Sequence, residues 1–226
     1  MVSLNPTTRH EALGVFKLGV EIGDLLGAET LQLATYAPPV RYLHAKTRQF
    51  GNGNHPFGDS MRIHTPKRFD WGPVWHALVD SSQRCADVAA ERGKTVAIEP
   101  GVDEVISSVD ALLRLMEQVR RKNFKANFNT AHFSAERENI SLALTRLRGK
   151  FANVRISDSD PSNNGHLPIG DGAIDWREFF RVLKNMKYNG YLGLDLGRSK
   201  SLCEDYRKSL AHLKSLASEL RFPIEI

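Results

Sequence analysis

The stretch FANVRISDSDPSNNGHLPIGDGAIDWREFFRVLKNMKYNGYLGLDL, Phe151–Leu196, decides the fold, because it reads as strand, polar loop, helix and strand with chemistry-bearing side chains at both strand ends. Ala152 to Ser157 alternates in the period-two pattern of a strand and stops at Asp158, where a loop rich in Ser, Asn, Asp and Gly begins. The end of that strand carries Arg155 and Asp158. The loop holds His166, then Gly170 and Gly172, whose missing side chains permit a tight backbone path. Asp175 stands where a helix N-cap is expected, with Glu178 three residues on. Trp176, Phe179, Phe180, Leu183 and Met186 then form an apolar stripe at helical spacing, and Asn189 and Gly190 stop the helix. Tyr191 to Leu196 reads as a second strand that delivers Asp195 near its C-terminal end. Two parallel strands joined by a helix make a βαβ crossover.

Outward from this unit the same alternation continues. The pattern predicts helix 9–27, strand 29–35, a long connection 36–73, helix 74–93, strand 94–99, helix 103–122, strand 123–129, helix 134–149 and a final helix 200–219. Strict β/α alternation with polar side chains at successive C-terminal strand ends is the pattern of an α/β chain of the (β/α) TIM-barrel type. Five strands can be read, about five of the eight a closed barrel needs, so residues 1–226 are expected to form one partial barrel domain. An open parallel sheet leaves edges and an apolar face that proteins pair or cover. The expectation is therefore a homo-oligomer or a complementing subunit that supplies the rest of the wall, the alternative being a truncated gene.

HLPIGDGAID, His166–Asp175, followed by GYLGLDL, Gly190–Leu196, resembles the H-x-P-x-G-x-G-x-I-D and G-Y-x-G signature of the sugar phosphate isomerase/epimerase family, the xylose isomerase-like TIM barrels that also include endonuclease IV. KTVAIEP resembles the family strand whose terminal Glu binds metal, here Glu99. ANFNTAHF resembles the strand that ends D-T-x-H in the family, and LGAETLQL, Leu26–Leu33, resembles its fourth strand. The likeness runs from about Ser3 onward, with the specific segments near Glu99, His132, His166 and Asp195.

The resemblance implies a sugar or keto-sugar isomerase or epimerase acting by metal-assisted proton transfer. In that chemistry a divalent metal, Mn, Mg, Co or Zn, stabilises an enediolate while two carboxylates serve as base and acid. It places the catalytic carboxylates at Glu99 and Asp195, the metal on Glu99, Asn129 and Asp195, and substrate contacts at His132, Arg155 and His166. Three positions depart from the family: Asn129 stands for its Asp, Arg155 for its His and Asp195 for its second Glu. Asn129 keeps an oxygen but loses a charge, and Asp195 keeps the charge on a shorter arm. Arg155 is the larger change, since a permanently charged guanidinium cannot ligate a metal. It is suited instead to pair with Glu99 and Asp195 in the volume an ion would fill. The alternative function is thus a catalytically degenerate subunit that binds a carbohydrate-like ligand or a partner protein. His132, Asp158 and His166 remain as substitute ligands or acid/base groups.

Plainer roles compete at each position. His132 could cap helix 134–149, His166 could pin its loop, Asp158 reads best as an Asx cap of the loop turn, and Asp175 as a helix cap. Trp71, Trp75 and Trp176 read as packing rather than as a sugar platform. The 36–73 connection carries Arg41, His44, Lys46, Arg48, His55, Arg62, His64, Lys67 and Arg68, a basic set suited to a phosphate or to a solvated surface, with no metal-ligand spacing among its histidines.

Composition frames these readings. At 41% hydrophobic and 25% charged, the 226-residue chain is ordinary for a globular protein. No apolar run spans a bilayer and no leader is evident, so the expectation is a cytoplasmic protein without a membrane partner. The formal charge of +5 suits a sugar phosphate. Duplex nucleic acid is not expected, because the many His and Asp ligands of the nuclease branch are absent. Cys85 and Cys203 lie far apart without a metal pattern and are read as reduced thiols.

Overall fold

The computed structural model describes residues 2–42, 63–160, 165–197, 199 and 201–223. In chain order they form α1 (Pro6–Leu25), β1 (Thr30–Ala34), β2 (Arg41–Tyr42), β3 (Ile63–His64), α2 (Trp71–Ala90), β4 (Thr95–Glu99), α3 (Val109–Val119), β5 (Phe124–Asn129), α4 (Thr130–Ala135), α5 (Ile140–Arg146), β6 (Phe151–Ile156), α6 (Trp176–Asn185), β7 (Leu192–Leu194) and α7 (Leu202–Leu220). Five strands make one sheet in the order β1–β4–β5–β6–β7, and the β1/β4, β4/β5 and β6/β7 ladders are parallel. Sheet order follows chain order, as in the (β/α) TIM-barrel architecture read from the sequence. Two short strands, β2 and β3, pair antiparallel at the described ends of the 36–73 connection. Residues 43–62, with His44, Lys46, Arg48, His55 and Arg62, lie outside the described residues.

The described residues divide into two compact units, one holding 2–42, 63–127 and 150–152, the other 128–149 and those from 153 onward. In the first unit Asn5 caps α1 by accepting from the Thr7 N–H, with Pro6 in the first turn, where its missing donor is harmless. A Cβ on Gly23 would come within 2.9 Å of Leu31 Cδ2, so glycine allows the close approach of α1 to β1. β4 is buried from Val96 to Glu99, and its register sets Ala34 of β1 opposite Glu99. Helix 103–122 proves shorter than predicted. Residues 100–107 form a turn instead, with the Gly101 N–H donating to the Ile106 carbonyl at 3.0 Å and Asp103 at φ +60°. Ser108 then caps α3.

In the second unit the predicted helix 134–149 is two helices. α4 begins at Thr130 behind Asn129, and Arg137 adopts φ +59°, breaking the helical path. Asn139 caps a fresh start at α5 by accepting from the Leu142 N–H. α6 carries the expected stripe: Trp176, Phe179, Phe180 and Leu183 are buried, and Phe179 and Phe180 sit edge to face at 5.5 Å. Each such ring contributes roughly 2–3 kcal/mol through burial. β7 is confined to Leu192–Leu194, so Asp195 stands just beyond the strand rather than within it, although its N–H still donates to the Ile156 carbonyl at 2.9 Å. Among the described residues no helix is long and apolar enough to cross a membrane. Cys85, buried, and Cys203, exposed, are both free thiols, and burial pushes the Cys85 thiol up to about 12.

Candidate active site

In the first unit, β4 ends at Glu99 because Pro100 cannot continue the ladder. Glu99 is buried, and its Oε2 accepts from the Gln32 side-chain amide at 2.6 Å and from that of Asn127. Thr35, just past β1, donates its N–H to the Glu99 carbonyl at 3.3 Å and its hydroxyl to the Glu104 carboxylate. Asn127 is fully buried, and its Oδ1 has no hydrogen-bond partner among the described residues. Gln32, Asn127, Thr35 and Glu104 escaped the sequence reading. A polar Gln inside the apolar run Thr30–Ala34, and Asn127 alternating with Asn129 along β5, are the signals that could have marked them.

In the second unit the centre is Asp195, whose side chain is 16% exposed. Arg155 Nη2 donates to Oδ1 at 3.0 Å and Asn129 Nδ2 to Oδ2 at 2.8 Å, with His166 Nδ1 3.3 Å from Oδ2. Burial alone would raise the Asp195 pKa. The His166 hydrogen bond and charge, the Arg155 charge and the Asn129 amide outweigh it and bring the carboxyl down to about 2. The Asn129 amide works at both ends: Oδ1 accepts from the Ala131 and His132 N–H groups at 3.1 and 3.4 Å, capping α4, while Nδ2 faces Asp195.

His166 is 3% exposed and adopts φ +45°, a left-handed backbone uncommon outside glycine. Its Nδ1 lies 2.9 Å from the Asp195 carbonyl oxygen and 3.1 Å from Ser157 Oγ, while Nε2 is buried with no partner among the described residues. His132, also buried, sits within α4 rather than before a longer helix, and its ring meets His166 edge to face at 4.9 Å.

Asp158 belongs elsewhere. Its carboxylate accepts from the N–H groups of Ser159, Gly170 and Ile174 at 2.9, 2.8 and 3.2 Å and from Trp176 Nε1 at 2.8 Å. Leu167 and Asp158 also exchange both backbone hydrogen bonds at 2.8 Å. The HLPIGDGAID segment is thus folded around one buried carboxylate, which is fully engaged and no candidate for a metal or a proton relay. Asp175 caps α6 through the Glu178 N–H, as expected. Trp176 packs and donates to Asp158, and Trp75 is buried with Gln118 and under Arg114. His64, Lys67 and Arg68 are exposed.

The chemistry of this donor set does not fit a divalent ion. The Asn129 oxygen that a metal would use faces helix N–H groups, both Asp195 oxygens face N–H donors, and one of those donors is a guanidinium. Among the described residues no three His, Cys, Asp or Glu side chains gather to hold an ion.

Comparison with known proteins gives this geometry its relatives. Residues 1–216 match the family described as xylose isomerase-like TIM barrel. An inosose dehydratase of Geobacillus thermodenitrificans is 23% identical over 63% of this chain and 55% of its own length. An L-ribulose 3-epimerase of Mesorhizobium japonicum is 24% identical over 86% of this chain and 65% of its own. The chain therefore spans less than two thirds of the length of these curated relatives. Among solved structures, a D-tagatose 3-epimerase-like protein superposes with a TM-score of 0.75 at 16% identity, covering 97% of this chain and 73% of that one. An IOLI protein with a bound zinc atom superposes at 0.69 and 18% identity, covering 96% and 72%.

Proposed function

The chain belongs to the xylose isomerase-like TIM barrel family, and we propose that it acts on a sugar or keto-sugar, free or phosphorylated, moving a proton on a carbon beside the carbonyl as an isomerase or epimerase does. The observation that carries the reading is His166, buried to 3% exposure with Nε2 unpartnered among the described residues. Buried polar atoms are almost always satisfied, so such an atom argues for a ligand that satisfies it. With Nδ1–H directed at the Asp195 carbonyl, Nε2 is the ring atom left for a ligand, and a polyhydroxylated ligand offers hydroxyls that can donate or accept there. In the first unit Asn127 Oδ1 is likewise a buried acceptor with no partner among the described residues. Relatives named as epimerases and a dehydratase support the class, since both chemistries can begin by removing a proton beside a carbonyl.

In this reading Glu99 is the base, and Asp195 is the second carboxylate. Held at about 2, Asp195 stays ionised at neutral pH and orients Arg155, Asn129 and His166 rather than taking up a proton itself. Arg155, His132 and His166 are the ligand contacts. The Arg155–Asp195 pair favours a second reading, in which the site binds a carbohydrate-like ligand without turnover.

Two measurements decide between them: deuterium uptake from solvent into a panel of ketoses, and the shift in melting temperature each ketose produces. Uptake in the wild type that falls at least a hundredfold in Glu99→Gln supports the enzyme. Stabilisation by a sugar without uptake supports the binding protein, and neither effect across the panel overturns both.

A further inference from the structure

We infer that Arg155 is the resident cation of the Asp195 cluster and that it excludes a divalent metal from this member of the family. The inference goes beyond the sugar-site reading and does not depend on which ligand binds.

Three side chains converge on one carboxylate, and each brings N–H groups. Arg155 Nη2 takes Oδ1 at 3.0 Å, Asn129 Nδ2 takes Oδ2 at 2.8 Å, and His166 Nδ1 lies 3.3 Å from Oδ2. A divalent ion needs lone pairs facing it, and each Asp195 oxygen already turns one to an N–H donor. It would also have to sit within a few ångströms of a guanidinium that cannot lose its proton. Asn129 closes a further route, because its only lone-pair atom, Oδ1, caps α4 at 3.1 and 3.4 Å from two N–H groups. Turning the amide would give up that cap and set Oδ1 against Asp195. The positive charge an ion would bring to Asp195 is already supplied by a side chain fixed on β6, where Arg155 is in register with Gly193 of β7. Arg155 is therefore a positioning residue: it holds Asp195 ionised and in place without an exchangeable metal.

The test uses the wild-type chain, Asn129→Asp, and the double variant Asn129→Asp/Arg155→His. Each is equilibrated with Mn²⁺, Co²⁺ or Zn²⁺ and desalted, and its metal content is read by mass spectrometry beside its melting temperature with and without the ion. The wild type and Asn129→Asp are expected to retain less than about a tenth of an equivalent and to melt unchanged, because both keep the guanidinium. The double variant is expected to bind at least tenfold more tightly than either and to melt higher with the ion. About one equivalent on the wild type, lost in Asp195→Asn, would overturn the inference. So would uptake by Asn129→Asp alone, or a double variant that folds and takes up nothing. Should the double variant fail to fold, the wild type and Asn129→Asp still decide. No sugar enters the measurement, so its outcome and that of the deuterium experiment are read separately.

Discussion

Asp158 and Asp195 are both largely buried aspartates at the ends of neighbouring strands in one unit, and they are held by opposite means. Three backbone N–H groups and an indole, all from one loop and the start of α6, surround Asp158. The side chains of Arg155, Asn129 and His166, from three separate segments, surround Asp195. Backbone donors move only if the loop unfolds, so the Asp158 arrangement is structural. Side chains brought together from separate segments and locked by their neighbours are what a site requires. Position at a strand end thus does not distinguish a scaffold carboxylate from a functional one, whereas the kind of donor does.

The largest effect that can test this contrast is on Asp158. Asp158→Ala leaves four N–H groups without their acceptor, those of Ser159 and Trp176 buried, and is expected to destabilise the fold by about 2–4 kcal/mol, read as a lower urea midpoint. A loss under about 1 kcal/mol would mean that the loop has other anchors and that the two aspartates do not differ as described.

Acid should single out Asp195. Its folded pKa of about 2 lies below the ordinary 3.8, so the stability it contributes is fully present above about pH 4 and is lost as the pH falls toward 2. The gap corresponds to about 2 kcal/mol. Denaturation followed from pH 5 to about pH 2 should show that loss in the wild type and a flatter profile in Asp195→Asn. Equal slopes would remove the electrostatic half of the comparison.

How much of this was legible in the sequence depends on what a residue type determines by itself. The β/α alternation of the five-stranded sheet and the Asp175 cap follow from periodicity and turn chemistry, and they stand. Arg155 pairing with Asp195 was readable as well, because a guanidinium at a strand end has only donors and must find an acceptor. Asn129 was not. Its side chain carries both a donor and an acceptor, and only the start of α4 directly behind it turns the oxygen to the helix and the NH₂ to Asp195. The split of helix 134–149 escaped for a similar reason: Asn139 was a visible cap, but α4 is closed by a left-handed capping turn at Arg137, whose N–H donates to the Ser134 carbonyl while that of Glu138 donates to Phe133, and glycine rather than arginine is the usual signal for it. His166 shows the same limit, since nothing in its identity announces φ +45°.

A smaller effect is expected at Arg155 itself. Arg155→Met keeps much of the side-chain stem but takes one hydrogen bond and one positive charge from Asp195, which retains Asn129 and His166. The Arg155 side chain is 36% exposed, so water screens part of the loss, and about 1 kcal/mol at neutral pH is expected. The acid transition should also move to higher pH, because the charge that helps to hold the Asp195 carboxyl down is gone. An unchanged acid transition would show that Arg155 merely lies near Asp195.

The change at Asn129 is the most discriminating. Aspartate caps a helix as well as asparagine does, so Asn129→Asp should leave α4 intact. It replaces an N–H donor on Asp195 Oδ2 with a like charge at a fully buried position while Arg155 remains, a loss of about 2–3 kcal/mol at pH 7. The sign of its pH dependence carries the information. Two adjacent carboxylates disfavour each other's ionisation, so the variant should regain ground on the wild type as the pH falls below about 5 and one of them protonates. If it instead falls further behind in acid, the Asn129 amide contributes mainly through the cap, and Asp195 depends on its guanidinium and imidazole alone.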